Sequence, residues 1–144
     1  MAGLPSYAYP GAGEWAREAK NYSQAIRVGD NIFLSGQGGW DRTSLTIKEN
    51  LKDEVEQAFD NVDHVLKHAG GKGWSQVYRV MTYSTDIKAT HDHIVENFKR
   101  LMPDHQPVWT EVGVKALGLD TMHIEIEVQA YDAEGAAEAR KARV

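Results

Sequence analysis

The chain has 144 residues, 42% of them hydrophobic and 26% charged, with a formal net charge of −5 and no cysteine. The missing thiol excludes disulfides, iron–sulfur clusters, thiolate zinc sites and a cysteine nucleophile. The acidic balance argues against a dedicated nucleic-acid binder, which needs a basic stripe to displace counterions, and no apolar run reaches the ~18 residues of a membrane span. One domain with an ordinary core is expected over 1–144, divided into an arm (1–20), a core (21–131) and a tail (132–144). Met1–Ser6 shows no basic stretch leading into an apolar one, so a cytoplasmic setting is expected.

Residues 1–20, rich in Gly, Pro, Ala and Tyr, read as a loop-like arm with one helical turn near Glu14–Ala19. The apolar runs Ser23–Val28 and Ile32–Ser35 flank Gly29-Asp30-Asn31, a hairpin signal in which Gly and Asn suit positive φ. Gly36, Gly38 and Gly39 form a flexible or closely approached segment before Trp40. Leu51, Val55, Ala58, Phe59, Val62, Val65, Leu66 and Ala69 recur at helical spacing, with Asn50 as N-cap and Gly70-Gly71 as stop. Val77–Thr85 is rich in β-formers. A second helix is expected from a cap at Thr90, with Ile94, Phe98, Leu101 and Met102 inside and Pro103 and Pro107 ending it. Val108–Lys115 and Met122–Tyr131 complete the strands, and 132–144 reads as a frayed helix or disorder.

The order β-β-α-β-α-β-β implies an α+β fold whose two helices cover one sheet face. Ile124, Ile126, Val128 and Ala130 alternate with His123, Glu125, Glu127, Gln129 and Tyr131. Consecutive apolar residues at Ile32-Phe33-Leu34 ask for cover on both faces, so a second copy of the chain is expected on the uncovered side.

With these elements placed, the sequence resembles the reactive-intermediate deaminase family (Rid or YjgF-like proteins, also labelled endoribonuclease L-PSP). The residues that carry the resemblance are Tyr22-Ser23-Gln24-Ala25, Val28-Gly29-Asp30, Phe33-Leu34-Ser35-Gly36-Gln37, Glu56-Gln57-Ala58, Asn61-Val62, Tyr83-Ser84-Thr85-Asp86 and Ile124-Glu125-Ile126-Glu127. It implies a chorismate-mutase-like homotrimer with clefts between subunits, acting on imines and enamines of 2-oxo acids. It also implies site roles for Glu125, for the Ser35-Gly36-Gln37 segment and for Tyr22. At the position of the family's carboxylate-binding arginine stands Trp109. An indole offers one N–H and an apolar face where a guanidinium offers a bidentate fork, a loss of a few kcal/mol, or roughly a hundredfold in affinity.

Trp109 and Glu111 share one strand face, as do His123, Glu125 and Glu127. Pairing of the two strands would gather them on the uncovered side, where clustering raises one carboxyl pKa and leaves a neighbour ionised. The expected site therefore has Glu125, with Glu111 or His123, moving a proton or orienting water, and Trp109 stacking on a neutral or cationic, flat or apolar ligand. Against this stand the plainer readings: Glu127 as a solvated or inter-subunit salt bridge, Trp109 as interface filling, and Arg79 or Lys115 as surface charges rather than a replacement clamp. Trp15, Trp40 and Trp74 either close the pocket or cover the edge of the core. His64/His68 and His91-Asp92-His93 lack a metal-site pattern, so neither metal nor cofactor is expected. The alternative to a divergent Rid-like enzyme is a trimer that binds a small ligand without chemistry. A ribonuclease is the weakest reading.

Overall fold

Gly29 and Asp30 reverse the chain between β2 (Ala25–Val28) and β3 (Asn31–Leu34), which pair antiparallel with Val28 opposite Asn31. Gly29 alone supplies the positive φ, 58°, and Asn31 is already in the strand. The computed structural model describes residues 3–142, so the outermost ends of the expected arm and tail, 1–2 and 143–144, lie outside it. Around the hairpin are β1 (Ser6–Tyr7), α1 (Ala12–Lys20), β4 (Gln37–Gly38), α2 (Leu51–His68), β5 (Val77–Ser84), α3 (Ile87–Leu101), β6 (Val108–Gly113), β7 (Ile124–Tyr131) and α4 (Ala133–Lys141). The strands form one mixed sheet in the order β1-β2-β3-β7-β5-β6, with β4 on β7 and only β5 and β6 parallel. This is an α+β fold that keeps the expected order β-β-α-β-α-β-β from β2 to β7, with the short β4 added after β3.

The helices follow from their caps and stripes. The Asn50 side chain accepts from Asp53 N–H at 3.1 Å and starts α2, whose Val55, Ala58, Phe59, Val62, Val65 and Leu66 are buried. α3 begins a turn earlier than expected. Asp86, not Thr90, is its cap; Thr90 is buried inside the helix with its hydroxyl 2.7 Å from Ser84 Oγ. Ile32, Leu34, Val80, Ile94 and the inward residues of β7 complete the core, where Trp74 stacks on Phe59 at 4.9 Å. Among the described residues no helix is long and apolar enough to cross a membrane.

Within the described residues the arm and the tail are more ordered than the sequence suggests. The arm holds a two-residue strand and a nine-residue helix, fixed by Ala12 N–H donating to Arg42 O at 2.8 Å. The tail becomes α4 because Asp132 caps it, accepting from Gly135 N–H, while binding Arg27 at 2.6 Å in a pair that is almost wholly buried. Arg27 also donates to Ala69 O from Nε and from one terminal nitrogen, at 3.1 and 2.9 Å. Strand β2 is thus inverted: Ala25 and Arg27 face inward while Ile26 and Val28 are exposed. Together with exposed Phe33, Tyr78, Val108 and Tyr131 they leave the uncovered sheet face unusually apolar.

Candidate functional site

Strand alternation sends Ile124, Ile126 and Val128 into the core and Glu125 and Glu127 to the uncovered face, opposite Tyr83 and Met81 of β5. Between β3 and β4 the chain passes over Glu125 at Gly36, and a Cβ there would collide with the Glu125 carboxyl group. Glycine is required for that close approach. Burial first, and then the neighbouring charge of Glu127, hold the Glu125 carboxyl above its ordinary value of 4.5. Glu127 itself accepts a hydrogen bond from Tyr83 Oη at 3.0 Å.

Glu125 opens on a cavity of about 240 Å³ lined by Tyr22 and by Tyr9, Trp15, Trp40, Leu119 and Met122. One wall is α1, contributing Ala12, Trp15, Ala16 and Lys20. Trp15 and Trp40 close the pocket, whereas Trp74 belongs to the core, its indole donating to Phe59 O at 3.0 Å. Tyr9, Gln24, Leu119 and Met122 were not legible as site residues; an isolated tyrosine before Pro10-Gly11 and the apolar residues of a loop carry no periodic signal.

The Ser35-Gly36-Gln37 segment supports the site from behind. Ser35 N–H donates to Gln24 O at 2.9 Å and its hydroxyl to Ser23 O at 2.7 Å. Gln37, expected to touch ligand, is wholly buried. Its amide donates to Gln24 Oε1 and Ser35 O at 2.9 and 3.1 Å, and its own Oε1 has no partner among the described residues. The reason is register: Gln37 lies opposite inward-facing Ile126.

Three further expectations are corrected. Trp109 and Glu111 do share a face, but the covered one, because β6 runs parallel to β5 with Trp109 opposite Val80 and Glu111 opposite buried Thr82. The Trp109 indole donates to Thr82 Oγ1 at 3.0 Å and packs between His91 and Phe98 of α3. Glu111 Oε2 lies 2.8 Å from His91 Nδ1, and Oε1 has no partner among the described residues. His123 precedes β7, and its ring turns toward α2, with Nδ1 2.7 Å from Glu54 Oε1. Within one chain, then, Glu125 and Tyr22 come together, while Trp109, Glu111 and His123 stand elsewhere. Among the described residues no group of three or more His, Cys, Asp or Glu side chains could hold a metal ion.

The sequence profile of the family described as Endoribonuclease L-PSP matches residues 15–132. A RutC family protein of Aquifex aeolicus is 37% identical over 111 residues, covering 76% of this chain and 86% of that one. The 2-iminobutanoate/2-iminopropanoate deaminase of Dermatophagoides farinae is 35% identical over 110 residues, covering 74% and 81%. The solved structure of protein YjgH superposes with a TM-score of 0.77 at 29% identity, over 90% of this chain and 95% of that one. The fold, the order of the motifs and these likenesses agree: the chain belongs to the Rid or YjgF-like family, also described as endoribonuclease L-PSP.

Proposed function

We propose that the chain hydrolyses an imine, an enamine or a related small carbonyl compound, with Glu125 as its proton-transfer group. The observation that carries this reading is a carboxyl group held over Gly36 at the mouth of an apolar cavity, its pKa raised by burial and by Glu127, with no ion pair to it among the described residues. Such a group takes a proton from water as the oxygen adds to the C=N carbon, then returns it to the departing nitrogen, releasing carbonyl compound and ammonia. One relative's name specifies a deaminase of two small imines.

The walls suggest the substrate. Trp15, Trp40, Tyr9, Leu119 and Met122 favour a flat or apolar substituent, and exposed Lys20 is the one cationic residue lining the cavity among the described residues. Among the described residues no arginine lines this cavity, and Trp109 lies outside it on the covered face. Neutral or cationic compounds are therefore expected to outcompete small carboxylates. Second copies of the chain would cover Ile26, Val28, Phe33 and Tyr131, giving a homotrimer in which each Glu125 cavity borders a neighbour. A monomeric mass by light scattering would remove that part of the reading.

The test is a coupled assay in which an amino-acid oxidase supplies imines, aromatic and aliphatic, and semicarbazide competes for them. Wild type should suppress semicarbazone formation, most strongly for aromatic imines, and Glu125→Gln should lose about a hundredfold in rate. The second reading, a ligand-binding trimer without turnover, is favoured by a cavity whose described lining holds no arginine; it predicts aromatic-amine binding that Glu125→Gln leaves intact and no suppression by wild type. Ribonuclease activity fits the net charge of −5 least well, and RNA cleavage that vanishes on re-purification at high salt would mark a contaminant.

A further inference from the structure

The first turn of α2 buries a carboxylate that the Glu125 cavity does not use. Glu54 sits on the helix's inward stripe with Ala58 and Asn61, its side chain 1% exposed. The chain runs tightly across it at Gly39, where a Cβ would meet Glu54 backbone and side chain together. Both of its oxygens go to one residue: Oε2 accepts His123 N–H at 2.7 Å and Oε1 lies 2.7 Å from His123 Nδ1. A buried carboxylate is tolerated only when its hydrogen bonds are supplied, and it accepts rather than donates. Nδ1 must therefore carry the proton, and in the neutral ring the free lone pair is at Nε2.

That ring is half exposed and lines a second cavity, of about 230 Å³, together with Thr85, Lys115, Leu117 and Asp120. Leu119 and Met122 line this cavity and the Glu125 cavity alike, so two apolar side chains separate them. Anchoring the start of β7 to α2 needs only the backbone N–H of His123. An imidazole held in one tautomer by a wholly buried acid, on the wall of a cavity that Lys115 also lines, is the arrangement of a base and its orienting group. No ion pair among the described residues engages Lys115.

We propose that His123, positioned by Glu54, forms a second acid–base site that tautomerises small 2-oxo or 2-imino acids whose carboxylate pairs with Lys115. The step needs no co-reactant. The C3–H proton passes to His123 Nε2 as the C3 electron pair forms the C2–C3 double bond and the carbonyl or imine π electrons move onto O or N. The imidazolium, stabilised by Glu54, then gives the proton to that heteroatom. The reverse step returns a proton to C3.

The probe is 2-oxobutyrate in D2O at low buffer concentration, with loss of the C3 proton signal followed by NMR. Wild type should accelerate exchange over buffer. His123→Asn keeps an amide donor for Glu54 but loses the basic nitrogen, and should lower kcat about a hundredfold. Lys115→Met should raise KM and spare kcat, and His68→Asn, an exposed histidine elsewhere on α2, should change neither. Glu54→Gln should reduce kcat and shift the His123 tautomer seen in long-range 15N–1H spectra, which a purely structural tie would not do. The proposal is overturned if wild type fails to exceed buffer, if His123→Asn or Glu54→Gln, folded by circular dichroism, exchanges at the wild-type rate, or if Lys115→Met abolishes kcat. Exchange is read without oxidase or imine, so loss of one activity with the other intact shows which of the two sites is wrongly assigned.

Discussion

Two carboxyl groups stand near opposite ends of β7, and their surroundings push them in opposite directions. Asp132, just past the strand, is buried, which would raise its pKa, but Arg27, Gly135 N–H and Gln76 outweigh burial and lower it below 3.8. Glu125, near the start of the strand, is half-buried beside Glu127, no ion pair among the described residues engages it, and its pKa rises above 4.5. The contrast teaches that burial alone does not decide what a carboxylate does. The satisfied one holds structure together, joining β2, the end of α2 and α4; the unsatisfied one is free to exchange a proton.

The sharpest way to break the comparison is Arg27→Met, which leaves Asp132 buried without its cation and should cost about 3 kcal/mol in urea unfolding. Adding Asp132→Asn keeps the helix cap and removes the stranded charge, so the double variant should recover more than half of that loss. At the other end, Glu125→Gln should cost little stability and about a hundredfold in imine turnover, equivalent to ~2.7 kcal/mol of barrier. Gly36→Ala sets a Cβ against the Glu125 carboxyl group and Cγ and forces that side chain aside; turnover should fall about tenfold, with a smaller loss in urea unfolding than Arg27→Met.

Stability against pH gives the smallest effect and separates the two groups by sign. The Asp132 contribution is present above its ordinary value of 3.8 and is lost as pH falls through the lowered folded value. The Glu125 contribution is present below 4.5 and is lost as pH rises through the raised folded value. Asp132→Asn should therefore flatten the acid limb, and Glu125→Gln the decline above 4.5, in chemical-denaturation series across pH. Matching slopes for both variants would contradict the assignment.

The strand β7 and the helix α2 were legible because a period of two or of 3.6 residues fixes a face, and both have one unambiguous apolar face. The same logic misplaced Trp109 and Glu111. Spacing says which residues share a face, and only the parallel register with β5 says which face it is. In β2 the pattern of Ala25-Ile26-Arg27-Val28 points the wrong way, since a buried arginine depends on partners at Ala69 and Asp132, 42 and 105 residues away. The dyad of Glu54 and His123 left a trace that was readable in principle, a glutamate in phase with the apolar stripe of an amphipathic helix. For α1 no comparable trace existed, as Gly11, Ala12, Gly13 and Ala16 are too small to make a stripe.

Because α1 forms a wall of the Glu125 cavity without supplying any strand of the sheet, chamber size and reacting group are carried by separate pieces of the chain. Exchanging a nine-residue segment would then retune which molecules are admitted while the carboxyl group stays where β7 puts it. That makes the amino-terminal helix an interchangeable selectivity module, open to redesign without rebuilding the scaffold.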